Sequence, residues 1–347
     1  MSSKQFGSKL KPEHIALFEK SANWKDGQFQ NLEETRLSIN LYKIPGIICR
    51  QLKGRKDREP KSKLPIIPFD KQAFLAPSDE LKYVWYGHSA LLLRLDRKTL
   101  LIDPMLGPNT SPIAPFGTYR YSDNTLDLID QFPEIDLVLL THDHYDHLDY
   151  DSIQRLKSKA SKYFVGMGVK RHLVKWGVDA DSITEFDWWN EKSFEEINIT
   201  YTPTRHFSGR GLTDRAKSMW GGWTLKTATE NIWFSGDSGY GNHFKEVGKK
   251  LGPFDFAFME CGQYDEEWHQ IHMFPEESVQ AAIDGQVKLA MPVHWGGFTL
   301  APHKWTDPPE CFVKTAESKG VNYTLPKLGQ LMTRSEVQTE NWWEEYL

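Results

Sequence analysis

Short apolar runs, each closed by polar residues or glycine, recur along the chain from about residue 81 onward. Runs of about four to eight residues that are continuously apolar, or that alternate apolar with polar, favour β-strands. Such runs cover residues 83–85, 91–95, 135–140, 197–202, 231–234 and 288–293. Helical patterns lie between them, as at residues 151–162 and 276–284. This alternation predicts sheets that are covered by helices.

Residues 1–80 precede this alternation. They contain a stretch rich in proline and lysine at residues 58–65, a composition typical of linkers. We therefore predict an N-terminal extension and linker at residues 1–80 and one folded domain at residues 81–347, without an internal repeat.

The segment after the strand predicted at residues 135–140 concentrates metal-binding side chains. It places His142, His144, Asp146 and His147 close together along the chain. Imidazole and carboxylate groups suit zinc and similar divalent ions. The first two histidines, two residues apart, point to the same side of an extended loop, whereas the last two residues lie where the chain turns toward a helix. One short segment thus predicts ligands for two metal ions.

Three further candidate ligands follow other predicted strands. His206 follows residues 197–202, Asp237 follows residues 231–234, and His294 ends the run at residues 288–293. Each alone is a weak signal, because a histidine at the end of a strand more often makes a structural hydrogen bond. Their shared placement after strands strengthens the prediction that they complete the site.

This order of residues resembles the metallo-β-lactamase-fold hydrolases, and the closer resemblance is to the N-acylphosphatidylethanolamine-hydrolysing phospholipase D family and its bacterial relatives. The resemblance covers about residues 83–303 and implies an α/β (α+β) fold, a four-layer αβ/βα sandwich with the ligand loops at one edge. The motifs that carry it are Trp85-Tyr86-Gly87-His88-Ser89, Leu101-Ile102-Asp103-Pro104, Thr141-His142-Asp143-His144-Tyr145-Asp146-His147, Asp187-Trp188-Trp189, Trp220-Gly221-Gly222-Trp223, Gly236-Asp237-Ser238-Gly239-Tyr240 and Val293-His294-Trp295-Gly296.

The resemblance also implies seven metal ligands in two groups that share one carboxylate. They are His142, His144 and His206 for one zinc ion, Asp146, His147 and His294 for the other, and Asp237 between the two. Two cations held close together lower the pKa of a bridging water, so that hydroxide is available as a nucleophile near neutral pH. Iron and manganese fit such ligands as well.

Asp146 and His272 are the predicted catalytic residues. In phosphodiesterases of this fold a further histidine protonates the leaving alkoxide, and His272 aligns with it through the following Pro275-Glu276-Glu277. The alternative is that His272 caps or packs a helix that begins at the proline. We leave His88 and Asp103 outside the ligand set, as hydrogen-bond partners that would orient a ligand.

The preferred hypothesis is a dinuclear zinc phosphodiesterase that cuts a phospholipid or other small organophosphate diester on the phospholipase D side. One departure weakens the lipid part, because the chain has Tyr264-Asp265-Glu266-Glu267-Trp268 where the eukaryotic lipases resemble Tyr-Glu-Pro-Arg-Trp. An acidic residue there disfavours an anionic head group. The alternatives are a lactonase or carboxylic-ester hydrolase of the same fold, and a metal-binding sensor without catalysis.

Composition agrees with an enzyme that does not bind nucleic acid. The 347 residues are 39% hydrophobic and 26% charged, with a net charge of −5, so no basic field is available for a nucleic acid. The three cysteines lack the spacing of a disulfide or metal framework, which predicts a reducing, cytoplasmic location. Among the aromatic residues, Trp295 and Phe298 are the best placed to form an apolar substrate wall.

A membrane contact and a homodimer are left open by the sequence. No segment approaches the roughly 20 apolar residues that a membrane span needs. Residues 37–48 are apolar, and five cationic residues follow them, so the segment suits peripheral contact at the inner membrane surface. The alternative is that it packs on the catalytic body. The cationic residues are Arg50, Lys53, Arg55, Lys56 and Arg58.

Overall fold

A computed structural model describes residues 4–36, 57–111, 118–211 and 213–347. The strands are β1 (Trp24–Lys25), β2 (Gln28–Phe29), β3 (Lys82–Trp85), β4 (Leu91–Leu95), β5 (Lys98–Ile102), β6 (Ile135–Leu140), β7 (Ala160–Gly166), β8 (Ile183–Phe186), β9 (Glu191–Phe194), β10 (Ile197–Thr202), β11 (Gly222–Lys226), β12 (Asn231–Phe234), β13 (Phe256–Glu260), β14 (Ala290–Val293) and β15 (Leu331–Thr333).

The helices of the described ranges lie mostly between these strands. They are α1 (Pro12–Phe18), α2 (Lys71–Leu75), α3 (Leu128–Gln131), α4 (Tyr150–Leu156), α5 (Lys170–Lys175), α6 (His243–Leu251), α7 (Pro275–Asp284) and α8 (Asp307–Lys319). Short 3₁₀ helices occur at Lys4–Phe6, Thr125–Asp127, Ala180–Ser182 and Trp342–Tyr346. None of the helices in these ranges combines the length and apolar character that crossing a bilayer requires.

Two large sheets form the centre of the fold. One has the strand order β15-β3-β4-β5-β6-β7-β8 and the other has the order β14-β13-β12-β11-β10-β9. Aromatic and aliphatic side chains from both sheets fill the space between them, among them Trp85, Leu139, Trp223 and Phe258. Two further apolar clusters join the outer face of each sheet to its helices. The predicted α/β four-layer sandwich is confirmed.

Strand β6 shows why the apolar runs become strands. It pairs in parallel with β5 on one side and β7 on the other, so both of its faces are covered. Leu137 and Leu139 point into the core between the sheets, whereas Val138 and Leu140 pack against the outer helices. Continuous apolarity therefore marks a central strand. The helix predicted at residues 151–162 is shorter, because β7 begins at Ala160.

The strand directions bring the ligand loops to one edge of the sandwich. Strands β10 and β12 each pair antiparallel with β11 and so run in the same direction, and β12, β13 and β14 are mutually parallel. Their carboxyl ends therefore meet at one edge, as do those of β5 and β6 in the other sheet. Parallel strands place their following loops side by side, which is where ligands bind in such sheets.

Parts of the N-terminal region pack into the same core. Phe18, Phe29 and Leu64 lie in the cluster between the sheets, and the Leu64 amide donates to the Tyr121 carbonyl at 3.0 Å. The division of the chain at residue 80 stays a prediction. The segment predicted to contact membranes, residues 37–48, lies outside the described residues. Of its cationic flank the structure describes Arg58, whose side chain is buried rather than available to lipid.

Candidate metal centre

Three imidazoles converge at the end of β6. The Nδ1 atom of His144 lies 2.9 Å from Nε2 of His142 and 3.1 Å from Nε2 of His206. These three nitrogens all lie within 4.8 Å of one another. The hydroxyl of Tyr201, on β10, donates to the carbonyl of Thr141 at 2.6 Å and so ties the two sheets together beside them. The group matches the first set of ligands that the sequence predicts.

The second predicted set also comes together. The Oδ2 atom of Asp146 lies 3.5 Å from Nε2 of His147 and 3.4 Å from Nε2 of His294. Asp237 stands between the two sets, with Oδ2 at 3.0 Å from Nε2 of His147 and 3.1 Å from Nε2 of His294. The same oxygen is 3.9 Å from Nε2 of His142, so it reaches the first set as well. The structure thus places all seven predicted residues in one site.

The donor set fits a pair of divalent cations. The Nε2 atoms of His147 and His294 are buried and have no hydrogen-bond partner among the described residues, although each faces the Asp237 carboxylate. Buried polar atoms without partners are rare in folded proteins, and a cation between nitrogen and carboxylate oxygen would satisfy both. That these residues bind metal, and which metal, stays a prediction.

The ionisation of the site agrees with this fit. Burial and the neighbouring imidazoles hold the pKa of His142 and of His206 well below the usual value, so both rings stay in the neutral form that binds metal. Burial opposes protonation of His294, but the carboxylates of Asp237 and Asp146 outweigh it and raise its pKa to about 10. The carboxylates therefore stabilise a positively charged group in the site, and a bound cation would be such a group.

Hydrogen bonds at the far side of each ring fix its orientation. The Nδ1 atom of His147 donates to Oδ2 of Asp103 at 2.7 Å, and Nδ1 of His206 donates to the carbonyl of Ile271 at 2.9 Å. In the neutral ring, which is the form that binds metal, these bonds keep the proton on Nδ1 and leave Nε2 aimed into the site. His88 holds Oδ2 of Asp146 through its own Nε2 at 2.8 Å. His88 and Asp103 are therefore placed as the sequence predicts, as partners of the candidate ligands.

The backbone is strained at this edge. His88, Asp103 and His294 have positive φ angles of 55°, 40° and 68°. Non-glycine residues rarely adopt such angles, and each costs on the order of 1–3 kcal/mol, which the surrounding contacts must offset. The amide of His88 donates to the Trp295 carbonyl at 2.7 Å, and the amide of His294 donates to the His88 carbonyl at 2.9 Å. This pairing holds the two loops against each other.

Glycine precedes the shared carboxylate for a steric reason. Gly236 has a φ of 66°, and a Cβ atom there would lie 2.5 Å from the carbonyl oxygen of Gly221. Any other side chain would push this turn away from the neighbouring strand and carry Asp237 with it.

His272 lies beside both ligand groups. Its ring centroid is 4.9 Å from that of His206 and 5.2 Å from that of His294. Its Nδ1 atom donates to Oε1 of Glu260, a carboxylate that is 1% exposed at the end of β13. Glu260 was not predicted from the sequence. The available signal was a charged residue closing the apolar strand Phe256–Glu260.

A pocket of about 220 Å³ opens onto the site. Its apolar wall is formed by Phe207, Trp268, Ile271 and Leu300, and His272 also faces it. The prediction for Trp295 and Phe298 is wrong, since both are 1% exposed and lie outside the pocket lining. The aromatic wall comes instead from neighbours of His206 and His272. Glu267, which stands where those lipases have arginine, is half-buried and is not part of the pocket lining either.

Comparisons with known proteins agree with this fold. Residues 98–295 match the family described as “Beta-lactamase superfamily domain”. An uncharacterized protein of Mycobacterium tuberculosis is 33% identical over 334 residues, which cover 94% of this chain and 89% of that protein. The N-acyl-phosphatidylethanolamine-hydrolyzing phospholipase D 1 of Caenorhabditis elegans is 32% identical over 228 residues, which cover 62% of this chain and 64% of that protein. Igni18, a metallo hydrolase of the archaeon Ignicoccus hospitalis, has a similar fold, with a TM-score of 0.57 at 21% identity over 73% of this chain and 97% of its own.

Proposed function

The chain belongs to the beta-lactamase superfamily and is a metal-dependent hydrolase of the metallo-β-lactamase fold. From this premise we propose that it is a dinuclear zinc phosphodiesterase of the N-acylphosphatidylethanolamine phospholipase D type. The observation that carries the proposal is the position of His272, beside both candidate ligand groups and facing an apolar pocket. A diester with an alkoxide leaving group needs a proton donor at this place.

Bound cations would supply an activated water and neutralise charge on the phosphoryl oxygens. His142, His144 and His206 would hold one of them, and Asp146, His147 and His294 the other, with Asp237 shared. Nδ1 of His272 donates a hydrogen bond to Oε1 of Glu260, so the Nε2 atom of that ring is turned away from Glu260. Nε2 of His272 would deliver a proton to the leaving oxygen as the bond between phosphorus and that oxygen breaks, and a proton from solvent would replace it.

The pocket wall supports a substrate with an apolar portion. Phe207, Trp268, Ile271 and Leu300 exclude water from one side of the site and offer contact to an acyl or alkyl chain. The relative from Caenorhabditis elegans is named for hydrolysis of an N-acylated phospholipid, which is a substrate of this class. We therefore propose a phospholipid or a related lipid-like phosphodiester as the substrate. Peripheral contact with a membrane through residues 37–48 is part of the same proposal.

The test compares three substrates with one preparation of zinc-loaded protein. We expect hydrolysis of bis-p-nitrophenyl phosphate and of N-acylphosphatidylethanolamine in mixed micelles, and loss of both activities with a chelator. Asp146→Asn should abolish turnover, whereas Asp151→Asn, an exposed carboxylate nearby in the chain, should keep it. Turnover of lactones but not of diesters would instead establish the lactonase alternative, and metal binding without any turnover would establish the sensor.

A further inference from the structure

A short N-terminal segment, residues 31–36, lies against the loops that carry two of the candidate ligands. We call this segment the strap. It is far from those loops in sequence, and Asn31 and His206 are separated by 175 positions. The strap contacts these loops through hydrogen bonds.

Asn31 binds the main chain of His206 on both sides. Its Nδ2 atom donates to the His206 carbonyl at 2.8 Å, and its Oδ1 atom accepts from the His206 amide at 3.1 Å. The indole Nε1 of Trp220 also donates to Oδ1 at 3.0 Å, which fixes the orientation of the amide group. Two hydrogen bonds from the planar side-chain amide of Asn31 hold His206 in a single backbone geometry.

Two other strap residues hold the neighbouring loops. The Thr35 hydroxyl accepts from Nε of Arg205 at 3.0 Å, and Oε1 of Glu33 accepts from the amide of Asn242 at 2.7 Å. Arg205 in turn connects the two ligand loops, because its amide donates to Oγ of Ser238 at 2.9 Å. The strap thus contacts both the loop of His206 and the loop that follows Asp237.

The last strap residue contacts the neighbour of the group that orients the His206 ring. The amide of Arg36 donates to Oε1 of Gln270 at 2.7 Å, and the next residue, Ile271, accepts from Nδ1 of His206. The strap therefore touches the main chain of His206 at one end and the neighbour of its ring partner at the other. A histidine held at both places has little freedom to move its Nε2 atom away from a cation.

We propose that the strap is a positioning element of the metal centre and that Asn31 sets the affinity of the group His142, His144 and His206 for a divalent cation. This inference rests on the proposed metal centre. Partners that orient a ligand from outside the metal's own coordination typically change metal affinity by about 10- to 100-fold when they are removed. The second group, which contains Asp146, makes no such contact with the strap among the described residues, so its affinity should not change.

The experiment is a titration of metal-free protein with Co²⁺, followed by visible absorbance and calorimetry. We expect two binding events in the wild type. In Asn31→Ala, Co²⁺ binding to the group that contains Asp146 should remain unchanged. Co²⁺ binding to the group His142, His144 and His206 should weaken by about 10- to 100-fold. Leu32→Ala is the matched control, because its side chain is 50% exposed in the same segment, and it should bind as the wild type does.

A purely structural role for Asn31 makes a different prediction. It would lower the melting temperature of the metal-free protein and leave both Co²⁺ affinities at their wild-type values, and that result overturns the proposal. Should Asn31→Ala fail to fold, Thr35→Ala takes its place, since it loses one bond to Arg205 and should weaken the same event. Wild-type Co²⁺ affinities in Thr35→Ala would then overturn the proposal.

The titration also separates this inference from the proposed function. Co²⁺ binding needs no turnover, so a wild type that binds two ions without cleaving diesters would refute the phosphodiesterase and leave the strap intact. Diester cleavage by the wild type, together with unchanged Co²⁺ affinities in Asn31→Ala, would refute the strap alone.

Discussion

Asp103→Asn tests how far one buried carboxylate controls the metal centre. The side chains of Asp103 and His147 are both 0% exposed and are joined by the 2.7 Å bond from Nδ1 of the ring. Thr141 donates to the same carboxylate twice, from its amide at 2.8 Å and from its hydroxyl at 2.6 Å. All three neighbours are donors, so the amide nitrogen of an introduced asparagine meets a donor in either orientation.

The expected magnitude follows from the hydrogen bond that is lost. A hydrogen bond to a charged group contributes about 1.5–3 kcal/mol, and each 1.36 kcal/mol is about a tenfold change in affinity. We therefore expect zinc to bind about 10- to 150-fold more weakly at the group that contains His147. If the asparagine turns its nitrogen toward the His147 ring, the ring proton moves from Nδ1 to Nε2, the atom that faces the cation. The loss of zinc affinity is then at the upper end of this range.

The measurement is competition for zinc against a chromophoric chelator. Asp136→Asn is the control, because Asp136 lies on the neighbouring strand β6 and accepts from the Thr99 amide at 2.8 Å, away from the site. Circular dichroism checks that both variants fold. Unchanged zinc affinity in folded Asp103→Asn would refute the reasoning that this carboxylate orients and charges the His147 ring.

Three further substitutions probe catalysis and stability. His272→Ala should slow cleavage of alkyl diesters by at least about 100-fold and barely affect p-nitrophenyl esters, whose leaving group needs no proton. Glu260→Gln should likewise slow cleavage of alkyl diesters more than that of p-nitrophenyl esters. In the same initial-rate assays, the control His269→Ala, at an exposed residue, should behave as wild type. An equal loss with both leaving groups would contradict proton donation. Leu139→Ala should lower the free energy of unfolding by about 2–5 kcal/mol in urea titrations, because Leu139 is buried in the core. The control Val174→Ala, at a residue that is 43% exposed, should change this free energy by less than about 0.5 kcal/mol. Equal effects of the two substitutions would contradict the assigned core.

Several features of this protein were determined by the sequence alone. The histidines and the aspartate of residues 142–147 are adjacent along the chain, so their spacing by itself predicts that they share a site. His206, Asp237 and His294 were predicted because each follows an apolar run, and the carboxyl ends of those strands do meet at one edge. Local patterns of this kind depend on the period of a strand and on the residues that follow it, both of which a sequence displays directly.

Tertiary structure decided which residues support and surround those ligands. Glu260 and Asn31 carry no recognisable motif, and their partners His272 and His206 lie 12 and 175 positions away. Trp295 follows His294 directly, yet it packs against Trp85 in the core. Hydrogen-bond partners and pocket walls depend on the distances between separate segments, and packing of the two sheets sets those distances.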